Sequence, residues 1–261
     1  MAPRAFLVRG LLAGLIAGFA AFLVAYVVAE PQIDTAIALE EAGSTESGHT
    51  HADAAAEQSH SHGEEAQVSR DTQSTWGLAT GTILMGAVLG GATALAAAFA
   101  IGRLGALSAR ASTALVVGVG FVATALVPFF KYPATPPAVG SGDTIGERTA
   151  LYFGFWALSL VAAIGAVILA RRVLPRLGAD GAVLVGVTAY LMVVMAAGAL
   201  LPAVNEVGDF PADTLWYFRR SSILTLAATW AVLGFVLTGL VGRDADRAAE
   251  RRRRQELAAT L

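Results

Sequence analysis

The sequence predicts an all-α, polytopic membrane protein, built as a bundle of about six transmembrane helices. Apolar residues make up 56% of the 261 residues and charged residues only 15%, which is a membrane composition. Six uncharged stretches are each long enough to cross about 30 Å of hydrocarbon as a helix, the structure that satisfies its own backbone polar groups in lipid. They are residues 10–29, 76–102, 111–130, 149–170, 181–205 and 221–242.

Arginine placement predicts the orientation of the bundle. With a cytoplasmic N-terminus, thirteen arginines fall on inner segments and only five basic residues fall on outer ones. By the positive-inside rule this excess places both termini in the cytoplasm. Fifteen of the twenty acidic residues then lie outside, which gives the outer face a net charge of about −10 and attracts cations toward it.

The first predicted transmembrane helix occupies residues 1–29. Its apolar stretch of twenty residues exceeds the usual 7–15-residue core of a signal peptide, which favours an uncleaved helix over a cleaved one. Gly10, Gly14 and Gly18 recur every fourth residue, a spacing that lets helix backbones approach closely in lipid. The second predicted helix has a similar series of small residues. We therefore expect packing within the chain, the alternative being a separate single-span partner.

Residues 30–75 are predicted to form a disordered, acidic, histidine-rich outer loop. All four histidines of the chain lie there as two H-x-H pairs within fourteen residues. Neutral imidazole is a good ligand for Co²⁺, Ni²⁺, Cu²⁺ and Zn²⁺, so the pattern predicts metal capture, the alternative being an ordinary solvated loop. Affinity should follow the Irving–Williams order, so that Ni²⁺ or Cu²⁺ binds more tightly than Co²⁺. The predicted metal ligands are His49, His51, His60 and His62.

The remaining five helices are predicted within residues 76–242, with proline-rich outer loops at 131–148 and 206–220. Proline lacks the N–H that a helix needs and clashes with the preceding turn. The prolines near each outward exit therefore predict that the spans end there. The sequences ALVP at 125–128 and ALLP at 199–202 mark two exits, and Pro31 marks a third. Three such hairpins suggest a weak parallel repeat of the kind that transporters use, unless the similarity is chance.

Oxygen ligands are expected near the outer ends of the spans. Asn205, Glu206 and Asp209 follow Pro202 directly, and we predict that they bind metal at an outer mouth. The alternative is that they are solvated loop residues. Lys131, the only lysine in the chain, is either a snorkelling anchor or a counter-charge for an acidic residue such as Glu206.

The last segment, residues 243–261, is predicted to be a cytoplasmic basic tail. Four consecutive arginines at 251–254 lie among acidic residues and favour a short polar helix on an anionic leaflet. Each arginine near such a surface contributes about 1 kcal/mol of attraction. We expect this tail to anchor the chain to membrane lipids.

Several function classes are disfavoured by what the sequence lacks. Without cysteine, disulfides and thiolate metal sites are excluded. No charged residue lies well inside a predicted span, so no acidic proton relay is evident. There is no phosphate-binding glycine loop and no nucleophile beside a base, so we expect neither an enzyme nor a nucleic-acid-binding protein, and no tightly bound cofactor.

Several motifs resemble those of one known family. They are VPFFKYP at 127–133, PPAVG at 136–140, TIG at 144–146, RTALY at 148–152, PAVNEV at 202–207, FPA at 210–212, and the histidine loop followed by VSR at 68–70. On these motifs the chain resembles, over nearly its whole length, the CbtA family of predicted cobalt transporter subunits. That family is usually described with five spans, whereas six are counted here.

The resemblance implies a cobalt uptake subunit of a prokaryotic cytoplasmic membrane, associated with cobalamin synthesis. It also implies a partner, the small single-span CbtB protein with a histidine-rich end. Our first hypothesis is therefore a transporter subunit whose outer histidines capture Co²⁺ and whose cation entry is driven by the membrane potential. The alternative is a non-conducting membrane metal receptor or assembly partner. Either is compatible with an oligomer.

Overall fold

The computed structural model describes residues 3–48 and 69–259, and within those residues all regular secondary structure is helical. Five of the helices are long and apolar enough to cross a membrane, as expected of an all-α membrane bundle. In chain order the α-helices are α1 Pro3–Val24, α2 Glu30–Gly48, α3 Arg70–Thr72, α4 Leu78–Ala100, α5 Ala109–Phe121, α6 Val127–Lys131, α7 Ile145–Leu200 and α8 Ala212–Ala259.

Three short π-helical segments join neighbouring α-helices into longer rods. They lie at Ala25–Ala29, Gln73–Gly77 and Val122–Leu126, between α1 and α2, α3 and α4, and α5 and α6. Two of them stand just before a proline, Pro31 or Pro128. A π turn leaves a carbonyl out of the i−4 pattern, which is where a residue without an N–H fits. The prediction that the first helix ends before Pro31 was therefore wrong, whereas the helix through Pro128 ends at Lys131, one residue past the predicted end at 130. Pro202 does follow a helix end, at Leu200, so the three exits differ and the repeat stays a prediction.

The segment that follows Ala29 is helical as far as Gly48 and was wrongly predicted to be loop from residue 30 onward. Ala36 within it is completely buried, and α2 packs on α8. Arg70, at the start of α3, forms ion pairs with Glu30 and Asp34 on α2. Burial and these long-range pairs stabilise a helix that local composition did not favour. The predicted capture residues His49, His51, His60 and His62 lie outside the described residues.

The 56-residue element α7 folds back on itself at Gly178, which has non-helical φ and ψ of 68° and −177°. Ser159 and Tyr190 share a hydrogen bond of 2.8 Å between their side-chain oxygens. In a straight helix, residues 31 positions apart would be separated by about 46 Å. A Cβ on Gly186 would likewise lie 3.1 Å from the Cβ of Ala170. The two halves of α7 are therefore antiparallel neighbours.

Helices α1 and α4 pack backbone to backbone along their glycines. A Cβ on Gly14 would lie 2.8 Å from the carbonyl carbon of Gly86, and one on Gly18 would lie 2.6 Å from the Cα of Ile83. Gly10 faces Gly90 in the same way. This contact confirms the predicted packing of the glycine stripe within the chain.

Two buried clusters meet at α5 and the residues that follow it. The first joins α1, α4, α5 and α8 around Leu233, Leu237 and Val241, which are completely buried. The second joins the end of α5 and the segment after it to both halves of α7, around Phe155 and Tyr190. The helix pairs α1–α4 and α7–α7 thus lie on either side of the α5–α6 rod.

The two ends of the bundle differ in charge. At one end, α8 pairs with α1 through Arg9 and Asp244, and with α5 through Arg110 and Asp246. We call this the arginine end. The described parts of the segments predicted to lie outside gather at the opposite end. There α8 already begins at Ala212, within the predicted loop 206–220, and it continues at the arginine end through the predicted tail to Ala259.

Candidate functional site

The loops that follow α6 and α7 are held together at the end of the bundle opposite the arginine end. The Lys131 ammonium donates hydrogen bonds to the carbonyls of Gly198 (2.7 Å) and Leu201 (3.0 Å) at the end of α7. The last carbonyls of a helix lack partners within the helix and attract a cation. Lys131 therefore caps α7, and its partners are carbonyl oxygens rather than a carboxylate.

Tyr132 makes a second connection between these loops. Its hydroxyl donates to the carbonyl of Pro202 at 2.9 Å, and its ring packs edge-on against Phe155 with centroids 6.0 Å apart. Only 8% of Tyr132 is exposed. The loop after α6 is thus fixed to the start of the loop after α7, which positions the acidic residues that follow Pro202.

Glu206 is the centre of a third connection, which we call the clasp. Its Oε2 atom accepts hydrogen bonds from the backbone N–H of Ser141 (3.1 Å) and the hydroxyl of Thr144 (2.9 Å), and Nε of Arg148 lies 3.5 Å away. The hydrogen bond from the Ser141 amide, then that from Thr144, then the Arg148 charge lower the pKa of the Glu206 carboxyl. The counter-charge of Glu206 is therefore Arg148, not Lys131.

The clasp depends on a glycine. The Arg148 guanidinium lies against Gly140, where a Cβ would be 2.7 Å from its central carbon, and Nη2 of Arg148 donates to the Ser141 carbonyl at 2.9 Å. Gly140 also has a φ of +99°, which disfavours any residue with a side chain. The PPAVG motif thus ends in the one residue type that lets Arg148 reach Glu206.

The clasp forms one wall of an open cleft of about 940 Å³. Three carboxylates line it, those of Glu40 on α2 and of Glu206 and Asp209 on the loop after α7, against one guanidinium, that of Arg148. Asp209 is exposed, and Asn205, also exposed, does not line the cleft. Of the three predicted ligands, the structure brings Glu206 and Asp209 to one cleft and leaves Asn205 beside it.

Two basic residues of this end were not recognised as organising residues from the sequence. Arg148 holds Glu206, and Arg70 holds Glu30 and Asp34, of which Glu30 is only 7% exposed. A signal was available, since the predicted outer segments contain only five basic residues among fifteen acidic ones. Because opposite charges attract, scarce cations among many carboxylates are expected to form ion pairs.

Metal coordination by the described residues alone is limited. Within residues 3–48 and 69–259, no group of three or more histidine, aspartate or glutamate side chains is close enough to hold a metal ion. What the cleft offers is negative charge and carboxylate oxygens near the end of α2. It can concentrate a cation and exchange its water for oxygen ligands, one or two at a time.

The fold and the distribution of charge define the class of protein to which this chain belongs. This chain is a polytopic helical membrane protein with an acid-lined cleft at one end of its bundle and arginines at the other. Within that class it belongs to the CbtA family, described as "Probable cobalt transporter subunit (CbtA)", which matches residues 3–242. Neither a curated protein nor a solved structure matches the chain.

Membership confirms the resemblance found from the motifs, and it favours transport over catalysis. It makes cobalt the expected cargo, and the word subunit implies at least one partner.

Proposed function

We propose that this chain is the membrane subunit through which Co²⁺ enters the cell, with the cleft at the clasp end facing outward. The observation that carries the proposal is the placement of Glu40, Glu206 and Asp209 around one open cleft, at the end of the bundle opposite the arginines. Arginine-rich segments lie on the cytoplasmic side of membranes. A cation arriving from outside would therefore meet the acidic cleft first.

The proposal includes six membrane crossings and cytoplasmic termini. The 56 residues of α7 would extend about 84 Å if straight, nearly three times the hydrocarbon thickness. Its two antiparallel halves, joined by the Ser159–Tyr190 hydrogen bond, supply two crossings instead of one. The rods α1–α2, α3–α4 and α5–α6 and the helix α8 supply the other four crossings. The total of six is even, so both termini lie on the same side of the membrane.

In this proposal His49, His51, His60 and His62 capture metal outside and deliver it to the cleft. Glu40 lines the cleft, and Gly48 ends the same helix eight residues later, about 12 Å along the axis. His49, the first of the four histidines, follows Gly48 directly in the sequence. Asn205, Glu206 and Asp209 would then supply oxygen ligands as the ion loses water.

Membrane potential is a sufficient driving force for entry. A potential of about 100 mV supplies about 2.3 kcal/mol per charge, hence about 4.6 kcal/mol for a divalent cation. At about 1.4 kcal/mol per decade this supports roughly thousandfold accumulation. A passive, potential-driven pathway is therefore energetically sufficient for cobalt accumulation.

Uptake of radioactive cobalt into proteoliposomes tests the proposal. We expect influx when an inside-negative potential is imposed, with this chain alone or together with a small single-span, histidine-rich partner. Control liposomes without protein, and proteoliposomes without a potential, should stay at background. If neither preparation shows potential-dependent influx, the chain is instead a non-conducting metal receptor or assembly partner.

The histidines can be tested separately from conduction. Replacing all four by asparagine, or deleting residues 48–63, should lower uptake at scarce cobalt by about tenfold, because a tethered capture site raises the local metal concentration. Uptake at saturating cobalt should stay unchanged. Identical dose curves for the variant and the unmodified chain would show that the histidines take no part in capture.

A further inference from the structure

A groove between α5 and α8 at the arginine end has no role in the proposed transport. It encloses about 660 Å³ and is lined almost entirely by apolar side chains and glycines. Val117 and Trp230 line it and are almost completely buried. The groove lies between two of the membrane-spanning helices and is open on one side. In a membrane, either an acyl chain or another helix would fill it.

Two arginines stand at the mouth of the groove. Arg110, near the start of α5, lies across Gly242 of α8, where a Cβ would be 2.5 Å from its Nε. Its ion pair with Asp246 is 3.5 Å long and over half exposed on both sides, which makes it weak. Arg243 follows directly on α8 and is also exposed. The mouth therefore carries more positive than negative charge.

The length of the groove matches one leaflet of a bilayer. From Trp230 to Arg243 the helix advances thirteen residues, or about 20 Å. One leaflet is about 15 Å of hydrocarbon, or about 20 Å with its headgroup region included. Arginine guanidinium groups also match the geometry of phosphate oxygens.

We propose that this groove binds an anionic phospholipid, with its phosphate on Arg110 and Arg243 and one acyl chain lying along Gly118 and Gly239 toward Trp230. A second protein helix is a poorer occupant, because its polar end would have to supply a matching acidic group at the depth of both arginines. The inference requires only that the chain spans a membrane. It is independent of which ion the chain carries.

The first test removes the charge. Purified protein is mixed with phosphatidylglycerol or phosphatidylcholine, and retained lipid is counted by native mass spectrometry. We expect phosphatidylglycerol to be retained preferentially, and R110Q/R243Q to weaken that preference by up to about 30-fold, since each arginine near a lipid surface contributes about 1 kcal/mol. R171Q/R172Q removes the same amount of charge from exposed arginines of α7, outside the groove, and should retain the lipid normally.

The second test fills the groove without changing its charge. At Gly118 and Gly239 an added Cβ would meet nothing within 4 Å, so leucine fits there without a clash at Cβ. Gly118→Leu and Gly239→Leu should both reduce phosphatidylglycerol retention. Gly154→Leu and Gly165→Leu on α7 have equally open positions outside the groove and should have no effect.

Equal melting temperatures in phosphatidylcholine establish that each variant is folded. R243Q alone leaves the Arg110–Asp246 pair intact and tests the role of charge a second time. It should lose part of the preference for phosphatidylglycerol. Equal retention of phosphatidylglycerol by the unmodified chain and by either R110Q/R243Q or the two groove-filling variants would overturn the proposal. Equal binding of the two lipids by the unmodified chain would do the same.

Discussion

Gly14→Leu is expected to separate α1 from α4 and to destabilise the whole bundle by about 3 kcal/mol or more, the upper range for overpacking. The first added carbon alone would lie 2.8 Å from the carbonyl carbon of Gly86 and 2.9 Å from the Cα of Ala87. These are backbone atoms, which cannot rotate away as a flexible side chain could. Thermal unfolding in detergent should show a melting temperature lower by about 6 to 12 °C.

Gly81→Leu is the matched control for that substitution. Gly81 also lies on α4, but an added Cβ there would meet nothing within 4 Å. Its melting temperature should stay close to that of the unmodified chain. If Gly14→Leu and Gly81→Leu melted at the same temperature, the close α1–α4 contact would not contribute to stability as described.

Glu206→Gln is expected to lower cobalt uptake at least tenfold, comparable to the loss seen when a group that orients or completes a metal site is removed. Glutamine keeps the shape of the side chain but removes the negative charge that faces Arg148 and the cleft. Both the clasp and the attraction for the entering ion are weakened. Initial rates of radioactive cobalt uptake at limiting metal measure the effect.

Asp213→Asn tests whether the loss of any acidic charge at this end of the bundle is enough to lower cobalt uptake. Asp213 lies in the first turn of α8, is exposed and does not line the cleft. Uptake by this variant should stay within about twofold of normal, as for a screened surface charge. A Glu206→Gln variant that transported as well as Asp213→Asn would remove Glu206 from the proposed pathway.

The contribution of the clasp to the stability of the fold depends on pH in a definite direction. Because the pKa of Glu206 in the folded protein lies below its ordinary value of 4.5, the clasp stabilises the fold above that value. This contribution is lost only as the pH falls through the lowered pKa. The clasp should therefore stay ionised between pH 5 and 7, and any change of uptake in that window should persist in Glu206→Gln.

Some of the site could be predicted from the sequence and some could not. The position of Glu206 and Asp209 after Pro202 predicted that they would stand at the mouth of the bundle, because a helix end is a local property. Their partners could not be predicted. Ser141, Thr144 and Arg148 are about sixty residues from Glu206 in the chain, and only the packing of α7 against itself brings them within reach.

The segment that follows Ala29 also shows the difference between what local sequence predicts and what long-range contacts decide. Its polar composition predicted a loop, yet α2 continues through Pro31 because a π turn accommodates the proline and Arg70 engages Glu30 and Asp34 from 36 to 40 residues away. Local propensity is a weak preference that tertiary contacts override.

By itself, the sequence determined the membrane class, the separation of arginines from acids and the presence of a glycine stripe suited to close helix packing. Each follows from composition or from a period of one helical turn. The tertiary structure alone decided that Lys131 caps α7, that Arg148 rather than Lys131 holds Glu206, and that α7 turns back at Gly178. Such pairings join residues far apart in the chain, so they arise only once the helices have packed.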